Sequence, residues 1–331
     1  MDFNEITGQK EIIRGLKKLI IEDKVGHAYI FTGAKGIGKR TVAKAFSHML
    51  LCAMPTENGP CNKCVPCRLW KEGSNPDYYH IETERDNILI DEIRSMQSNI
   101  IVKPLYSGRK VVLIADAEKM TVQAQNCLLK VLEEPPLYAV IVLTTSHYEA
   151  LLSTIRSRVT RFNLSRYAKD EMRKIIESNI KQVNTDIDFV INYSDGVPGT
   201  ALNLASSHDF IKLRESSIDI VQKLYRMKDI EFFDIYNFFE ANKDNIDIVL
   251  DIIMAYYRDL IIAKTGGKEN MLINSDKKNK ILNEAGNYSL ERLINNIEIV
   301  EAARVGIKQN VNYQLSIENM ILRLQHHVNK I

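Results

Sequence analysis

Three groups of residues in this chain have the types and spacing for chemistry: four cysteines, a glycine-rich loop ending in lysine, and two arginines near residue 157. Cys52, Cys61, Cys64 and Cys67 follow the pattern C-x8-C-x2-C-x2-C. Two-residue spacing lets neighbouring thiolates point at one centre, and Cys52 adds a fourth ligand, so the set suits tetrahedral zinc. With all four ligands from protein no coordination position stays open, and the role expected is structural. Asn58, Gly59, Pro60 and Pro66 favour the turns of a compact knuckle. Free thiols or a redox pair are the alternative reading. Cys127, on an apolar-rich stretch, reads as a packing residue.

The second group is Gly33-Ala34-Lys35-Gly36-Ile37-Gly38-Lys39, preceded by the apolar run Ala28 to Thr32 and followed by a helical pattern. This is the strand-loop-helix context of a phosphate-binding loop. Gly33, Gly36 and Gly38 allow successive N–H groups to converge on phosphate oxygens, and Lys39 adds a point charge at a helix N-terminus. The usual pattern then wants a hydroxyl to hold Mg²⁺. Arg40 stands there instead, with Thr41 one place late, so Mg²⁺ is not expected. A second buried-strand pattern, Lys110 to Ala115, runs into Asp116, where phosphate-loop proteins place the acidic residue that supports the metal. A helix cap is the plainer role for Asp116. The next residue is Ala117 where hydrolytic relatives carry a glutamate, and Glu118 is expected to point to another face. Rapid ATP turnover is therefore not expected.

The third group, Arg156 and Arg158 in LLSTIRSRVTRF, falls where the α/β pattern ends. A forked, permanently charged guanidinium there can stabilise charge on the γ-phosphate of a nucleotide held by a neighbouring subunit. A surface ion pair is the alternative.

These groups need rigid elements to place them. A chain of 331 residues with 45% hydrophobic residues can bury two or three cores. Forty-four basic and 42 acidic residues leave a charge of +2, so no global basic field marks a nucleic-acid binder. The N-terminus lacks a leader-like apolar core and no stretch has the length of a membrane span, so a cytoplasmic chain with reduced thiols is expected. Residues 1 to 26 read as an entry helix, Val42 to Leu51 and Ile88 to Ile101 as helices, and Tyr78 to Ile81 as a strand. A helix from about Thr121 to Glu134 stops at Pro135-Pro136, and Val140 to Thr144 is another buried strand. The alternation indicates a mainly parallel α/β sheet. Residues 166 to 206 read as a short helical unit punctuated at Gly196 to Gly199, and from about 209 onward the pattern is helical, broken near Thr265 to Lys268 and Gly286.

Together, ITGQK at 6 to 10, HAYIFTG at 27 to 33, the four-cysteine insert, KMTVQAQNCLLKVLEEPP at 119 to 136 and TIRSRV at 154 to 159 resemble the bacterial clamp-loader subunits of the AAA+ class. The resemblance implies a RecA-like parallel sheet with a zinc-binding insert at about 52–67 in residues 1–165, a helical lid at 166–207, and a helical collar bundle at 208–331. In the family's motor subunits Thr follows the loop lysine, Asp-Glu ends the strand, and a lid arginine senses nucleotide. The matching positions here are Arg40, Asp116-Ala117 and Gly199. Ser157-Arg158-Val159 matches the family's S-R-C motif, which makes Arg158 the counterpart of its trans-acting arginine. The resemblance thus implies a largely inactive ATPase that completes a neighbour's site, with Gly33, Gly36, Gly38, Lys39, Thr41 and Asp116 as an ATP or ADP loop that can be vestigial. The partners implied are the gamma or tau motor and delta subunits, the sliding clamp, and primed DNA within the complex. An ATP-hydrolysing motor subunit and a zinc-containing nucleic-acid-binding protein with a relic loop are the rival readings.

Overall fold

The computed structural model describes residues 2–180, 186–226, 232–268 and 271–326. The chain divides into two compact units, Met1–Ile175 with Gly196–Thr200, and Ile176–Asp195 with Ala201–Ile331.

The first unit is organised on five strands, β1 (Ala28–Thr32), β2 (Tyr78–Ile81), β3 (Lys110–Ile114), β4 (Ala139–Thr145) and β5 (Thr160–Asn163). They pair in the order β2-β3-β4-β1-β5, and every pair is parallel. Parallel neighbours require crossovers, and helices, one ahead of the first strand and the rest within the crossovers, cover both faces. These are α1 (Lys10–Ile21), α2 (Lys39–Leu51), α3 (Val65–Lys71), α4 (Ile90–Ile100), α5 (Val122–Glu133) and the single turn α6 (Ser153–Arg156). Covered on both sides, β1, β3 and β4 are buried at every residue, as their uninterrupted apolar runs require. Alternation then sorts the side chains. Tyr29 and Phe31 meet Phe46 of α2 edge-on, with ring centroids 5.1 and 6.0 Å apart, whereas Ala28 and Ile30 join Ile93, Met96 and Leu128 in the cluster under α4 and α5.

Two features differ from the sequence reading. The entry helix is shorter than residues 1 to 26. A 3-10 turn at Phe3–Glu5 is followed by Gly8 and Gln9 in the left-handed region, with φ of 76° and 50°, and only then by α1. A Cβ on Gly8 would lie 2.5 Å from the Tyr167 ring, so the close approach of Tyr167 and the left-handed φ both exclude a larger residue here. The edge strand β5 carries one apolar residue, Phe162, which stacks on Phe31 at 5.8 Å, so periodicity alone does not announce it.

The remaining helices are α7 (Lys169–Asn179), α8 (Ile187–Ser194), α9 (Pro198–Ser206), α10 (His208–Arg226), α11 (Phe232–Ala241), α12 (Ile246–Lys264), α13 (Lys278–Ala285), α14 (Leu290–Lys308) and α15 (Tyr313–His326). The second unit packs around α12, whose Val249, Leu250, Ile253, Tyr256, Tyr257 and Leu260 are buried. Two of its buried charged groups are matched inside the core. Asp259 accepts from the backbone of Ile273 and Asn274 at 2.8 and 2.7 Å, while Arg214 binds Asn274 and Asp276 and lies over the Phe189 ring. The parts of the expected helical regions at 181–185, 227–231, 269–270 and 327–331 lie outside the described residues. Among the described residues no helix is long and apolar enough to cross a membrane.

Candidate nucleotide loop, metal centre and trans-facing arginine

The strand order sets β4 between β1 and β3, so three loops leave the carboxyl ends of adjacent strands side by side. The loop after β1 carries Gly33, Gly36 and Gly38 with φ of 143°, 84° and 100°, and Gly38 is the N-cap of α2. Lys39, the first residue of α2, is buried. Its Nζ donates to the carbonyls of Gly33 and Ala34 at 2.8 and 2.9 Å, and to Ser146 Oγ, just past β4, at 2.8 Å. Burial lowers the Lys39 pKa, with Glu118 and Asp116 opposing the shift. Thr41 lies half-buried in the first turn of α2.

Arg40 spans two carboxylates. One guanidinium nitrogen is 2.6 Å from Asp116 Oδ2, and the other binds Glu82, which follows β2. Burial works against the charged guanidinium, but Asp116 and Glu82 outweigh it and hold its pKa above the ordinary value. Asp116 follows β3 with φ of 50°, and its N–H donates to Thr144 Oγ1. Ala117 is fully buried within the apolar cluster that includes Ile88 and Met120. Glu118 corrects the sequence reading. It does not point away but accepts from the Ser146 N–H at 2.9 Å and stands near Lys39, because the 3-10 turn at Ala117–Lys119 swings it back over the end of β4.

Gly199 packs directly on the loop. Its N–H donates to the Gly36 carbonyl at 2.9 Å, and a Cβ at Gly199 would stand 2.9 Å from Gly36 Cα and O. An arginine at this position is incompatible with the observed contact.

At the far end of α2, the Sγ atoms of Cys52, Cys61, Cys64 and Cys67 all lie within 4.8 Å of one another, with Cys52 and Cys64 4.0 Å apart. Four sulfurs at the usual zinc distance form a tetrahedron with edges of about 3.8 Å, so the cluster fits that ion with small adjustment. Asn62 turns the knuckle with φ of 58°. Backbone N–H groups of Cys61 and Cys64 donate to Cys52 and Cys61 Sγ. Burial raises the Cys61 thiol, but the N–H groups of Lys63 and Cys64 prevail and bring it down to about 6. Burial and the neighbouring thiols push Cys67 up. Trp70 of α3 stacks on His48 of α2 at 5.1 Å, and Asn4 Nδ2 donates to the Asn58 carbonyl, so the module is pinned to α2 and to the N-terminal segment. Cys127 lies apart, with its thiol on Gln97 Oε1.

Arg158 stands at the opposite end of the sheet, two residues before β5 and beside His27, which precedes β1. Five strand residues separate this end from the loop, about 17 Å at 3.3 Å per residue. The guanidinium donates to the Thr154 carbonyl and pairs with Glu133 at 3.0 Å. With His27, Glu133 and Thr160 it lines an open concavity of about 590 Å³. Arg156 is turned instead to Glu149 and the Tyr148 ring.

Sequence reasoning passed over Glu82, Ser146 and Glu133. Ser146 and Glu82 had a usable signal, since each is a polar residue at or just past the carboxyl end of a strand beside the loop. Glu133 had none, because an acidic residue in the last turn of a helix is ordinary surface.

Two family models match the chain, one described as DNA polymerase III, delta subunit, over residues 8–168, and one described as DNA polymerase III, delta subunit, C terminal, over residues 208–326. The DNA polymerase III subunit delta' of Bacillus subtilis (strain 168) is 29% identical over 330 residues, 98% of each chain. Subunit delta' of Pseudomonas aeruginosa is 41% identical over 134 residues, 40% of this chain and 41% of that one. Subunit tau of Bacillus subtilis is 29% identical over 293 residues, 82% of this chain, which spans about half of tau, 52%. A gamma subunit-related protein of Thermotoga maritima shares the fold, with a TM-score of 0.50 and 21% identity over 95% of this chain and 98% of that one. With both halves matched by models of one protein and a delta' relative aligned from end to end, the chain belongs to the DNA polymerase III clamp-loader family, in its delta-prime branch.

Proposed function

We propose that the chain is a delta-prime-type clamp-loader subunit that turns over little ATP itself and supplies Arg158 to the nucleotide site of a neighbouring motor subunit. The observation that carries this reading is the position of Arg158. It faces an open concavity about 17 Å along the sheet from its own loop, so the nucleotide it serves belongs to another subunit. There its forked, permanent charge stabilises charge developing on the γ-phosphate. The chain's own loop, built from Gly33, Gly36, Gly38, Lys39, Thr41 and Asp116, is a retained nucleotide loop without the parts of an engine. Arg40 occupies Asp116, the buried Ala117 offers no carboxylate to polarise water, and Gly199 stands where a sensing arginine would have to fit. These three features together favour this reading over an ATP-hydrolysing motor.

In this reading residues 1–165 form the AAA+ face, 166–207 the lid, and 208–331 a collar that joins the gamma or tau and delta subunits in a ring. Zinc held by Cys52, Cys61, Cys64 and Cys67 stabilises the insert. ATP use by the motor subunits is coupled to loading the sliding clamp on primed DNA. The test is Arg158→Ala in the reconstituted complex. Assembly should be intact and DNA-stimulated ATP turnover sharply lower; unchanged turnover removes Arg158 from the mechanism.

A further inference from the structure

A phosphate loop of this class normally holds Mg²⁺ between a hydroxyl after the lysine, a strand-end carboxylate and the nucleotide. Neither protein ligand is available here. The hydroxyl position is Arg40, and Asp116 Oδ2 carries the Arg40 guanidinium at 2.6 Å. Glu82, a second carboxylate on this side, holds the other arm of the same guanidinium, and is itself approached by His80 Nε2 at 3.4 Å and Lys44 Nζ at 3.9 Å, while Glu118, a third, is turned to the Ser146 N–H at 2.9 Å and to the Lys39 charge. A divalent ion on Asp116 would stand against a fixed positive charge, so the residues present do not fit Mg²⁺.

The phosphate-binding part is intact by contrast. Left-handed Gly33, Gly36 and Gly38 keep the loop shape in which N–H groups converge, and Lys39 is fixed by the Gly33 and Ala34 carbonyls. Only one of its three hydrogen bonds goes to a side chain, the Ser146 hydroxyl, which can rotate away. A guanidinium carries five N–H donors, and Arg40 uses one on each carboxylate, which leaves donors for phosphate oxygens.

We propose that Arg40 replaces the divalent cation at this loop, so that the loop binds a nucleoside di- or triphosphate without metal, with Asp116 and Glu82 aiming the guanidinium. The inference rests on reading residues 33–41 as a nucleotide loop. It adds the source of the positive charge and the reason that binding is not followed by turnover: a guanidinium neutralises phosphate charge but does not supply an ion bridging the β- and γ-oxygens.

The test titrates the full chain with a fluorescent ADP analogue (N-methylanthraniloyl-ADP), once in excess Mg²⁺ and once in EDTA. Wild-type affinity should agree within about twofold between the two conditions. Lys39→Ala should weaken binding roughly tenfold in both. Arg40→Thr should bind roughly tenfold more tightly with Mg²⁺ than with EDTA, because a hydroxyl and a freed Asp116 are restored to the ion. Should Arg40→Thr not fold, Arg40→Lys keeps the charge and should remain indifferent to Mg²⁺. A roughly tenfold loss of wild-type affinity in EDTA overturns the proposal, as does the absence of wild-type binding in both conditions. The latter result combined with impaired turnover from Arg158→Ala would overturn this inference alone and leave the trans-acting role standing.

Discussion

Arg40 and Arg158 are arginines at opposite ends of one sheet, each against acidic residues, and their side chains are almost equally exposed, at 40% and 37%. Exposure therefore does not tell them apart, and partners do. Arg40 follows the loop lysine at the carboxyl ends of the strands, and its two arms are taken by carboxylates from two other strand ends. Arg158 lies before the amino end of β5, has one carboxylate, one carbonyl and the neighbouring Ser157 hydroxyl as partners, and opens onto a concavity. One arginine is held between two carboxylates beside its own loop and the other borders an open concavity; in the proposed reading the same residue type is a fixture at one end and an offered group at the other.

The comparison breaks first at Arg158. Arg158→Ala should lower DNA-stimulated ATP turnover at the neighbouring site of the reconstituted complex by about 10³-fold, the size of effect known for trans-acting arginines. Arg158→Lys should recover little of this, because an ammonium lacks the fork. The result that dissolves the contrast is turnover that does not change with either substitution.

Next in size is the four-cysteine cluster, which tests the other end through α2, the helix that begins at Lys39 and is followed directly by Cys52. Cys64→Ser should abolish stoichiometric zinc and destabilise the first unit by roughly 3–5 kcal/mol, seen as a lower denaturation midpoint. Loss of amide protection should concentrate at the knuckle and the last turns of α2. Full stability in Cys64→Ser protein free of metal would show that the cluster needs no ion.

Most of this arrangement was legible because its signals are local. Buried runs such as KVVLIA, the C-x2-C spacings and the glycines of the loop each state their own geometry, and strand ends then locate Asp116 and Lys39. What stayed hidden depends on pairs far apart in the chain. Glu82 and Arg40 are 42 residues apart and meet because α2 packs across β3 while β2 pairs with β3 on its far side. Glu118 is hidden for a related reason: its place in the chain, two residues past Asp116, implies another face, whereas a 3-10 turn returns it to Ser146. The edge strand β5 was hidden by composition, since an edge tolerates polar residues that a central strand excludes.

A smaller effect is expected at Gly199. Gly199→Ala places a methyl group 2.9 Å from Gly36 Cα and O and should cost about 1–3 kcal/mol by overpacking. A chain whose thermal midpoint does not move would show that residues 196–200 lift from the loop freely, and the loop end would then be as open as the Arg158 end.

The smallest effect is a pH dependence confined to the Arg40 end. His80 Nε2 lies 3.4 Å from Glu82 Oε2, and burial, assisted by Lys44 and Arg40, lowers the His80 pKa although Glu82 opposes it. A base whose folded pKa is depressed binds its proton more readily when unfolded. The stability this gives is complete above the unfolded value of about 6.5 and is lost as pH falls from there through the lower folded value. Wild type should therefore lose more stability than His80→Gln between pH 7.5 and pH 5.5, with the two curves parallel above pH 7.5. A protonated His80 would also compete with Arg40 for Glu82, so metal-free nucleotide affinity should change in the same acid range. Parallel stability curves through the whole range would remove His80 from the set of groups that hold Arg40 in place.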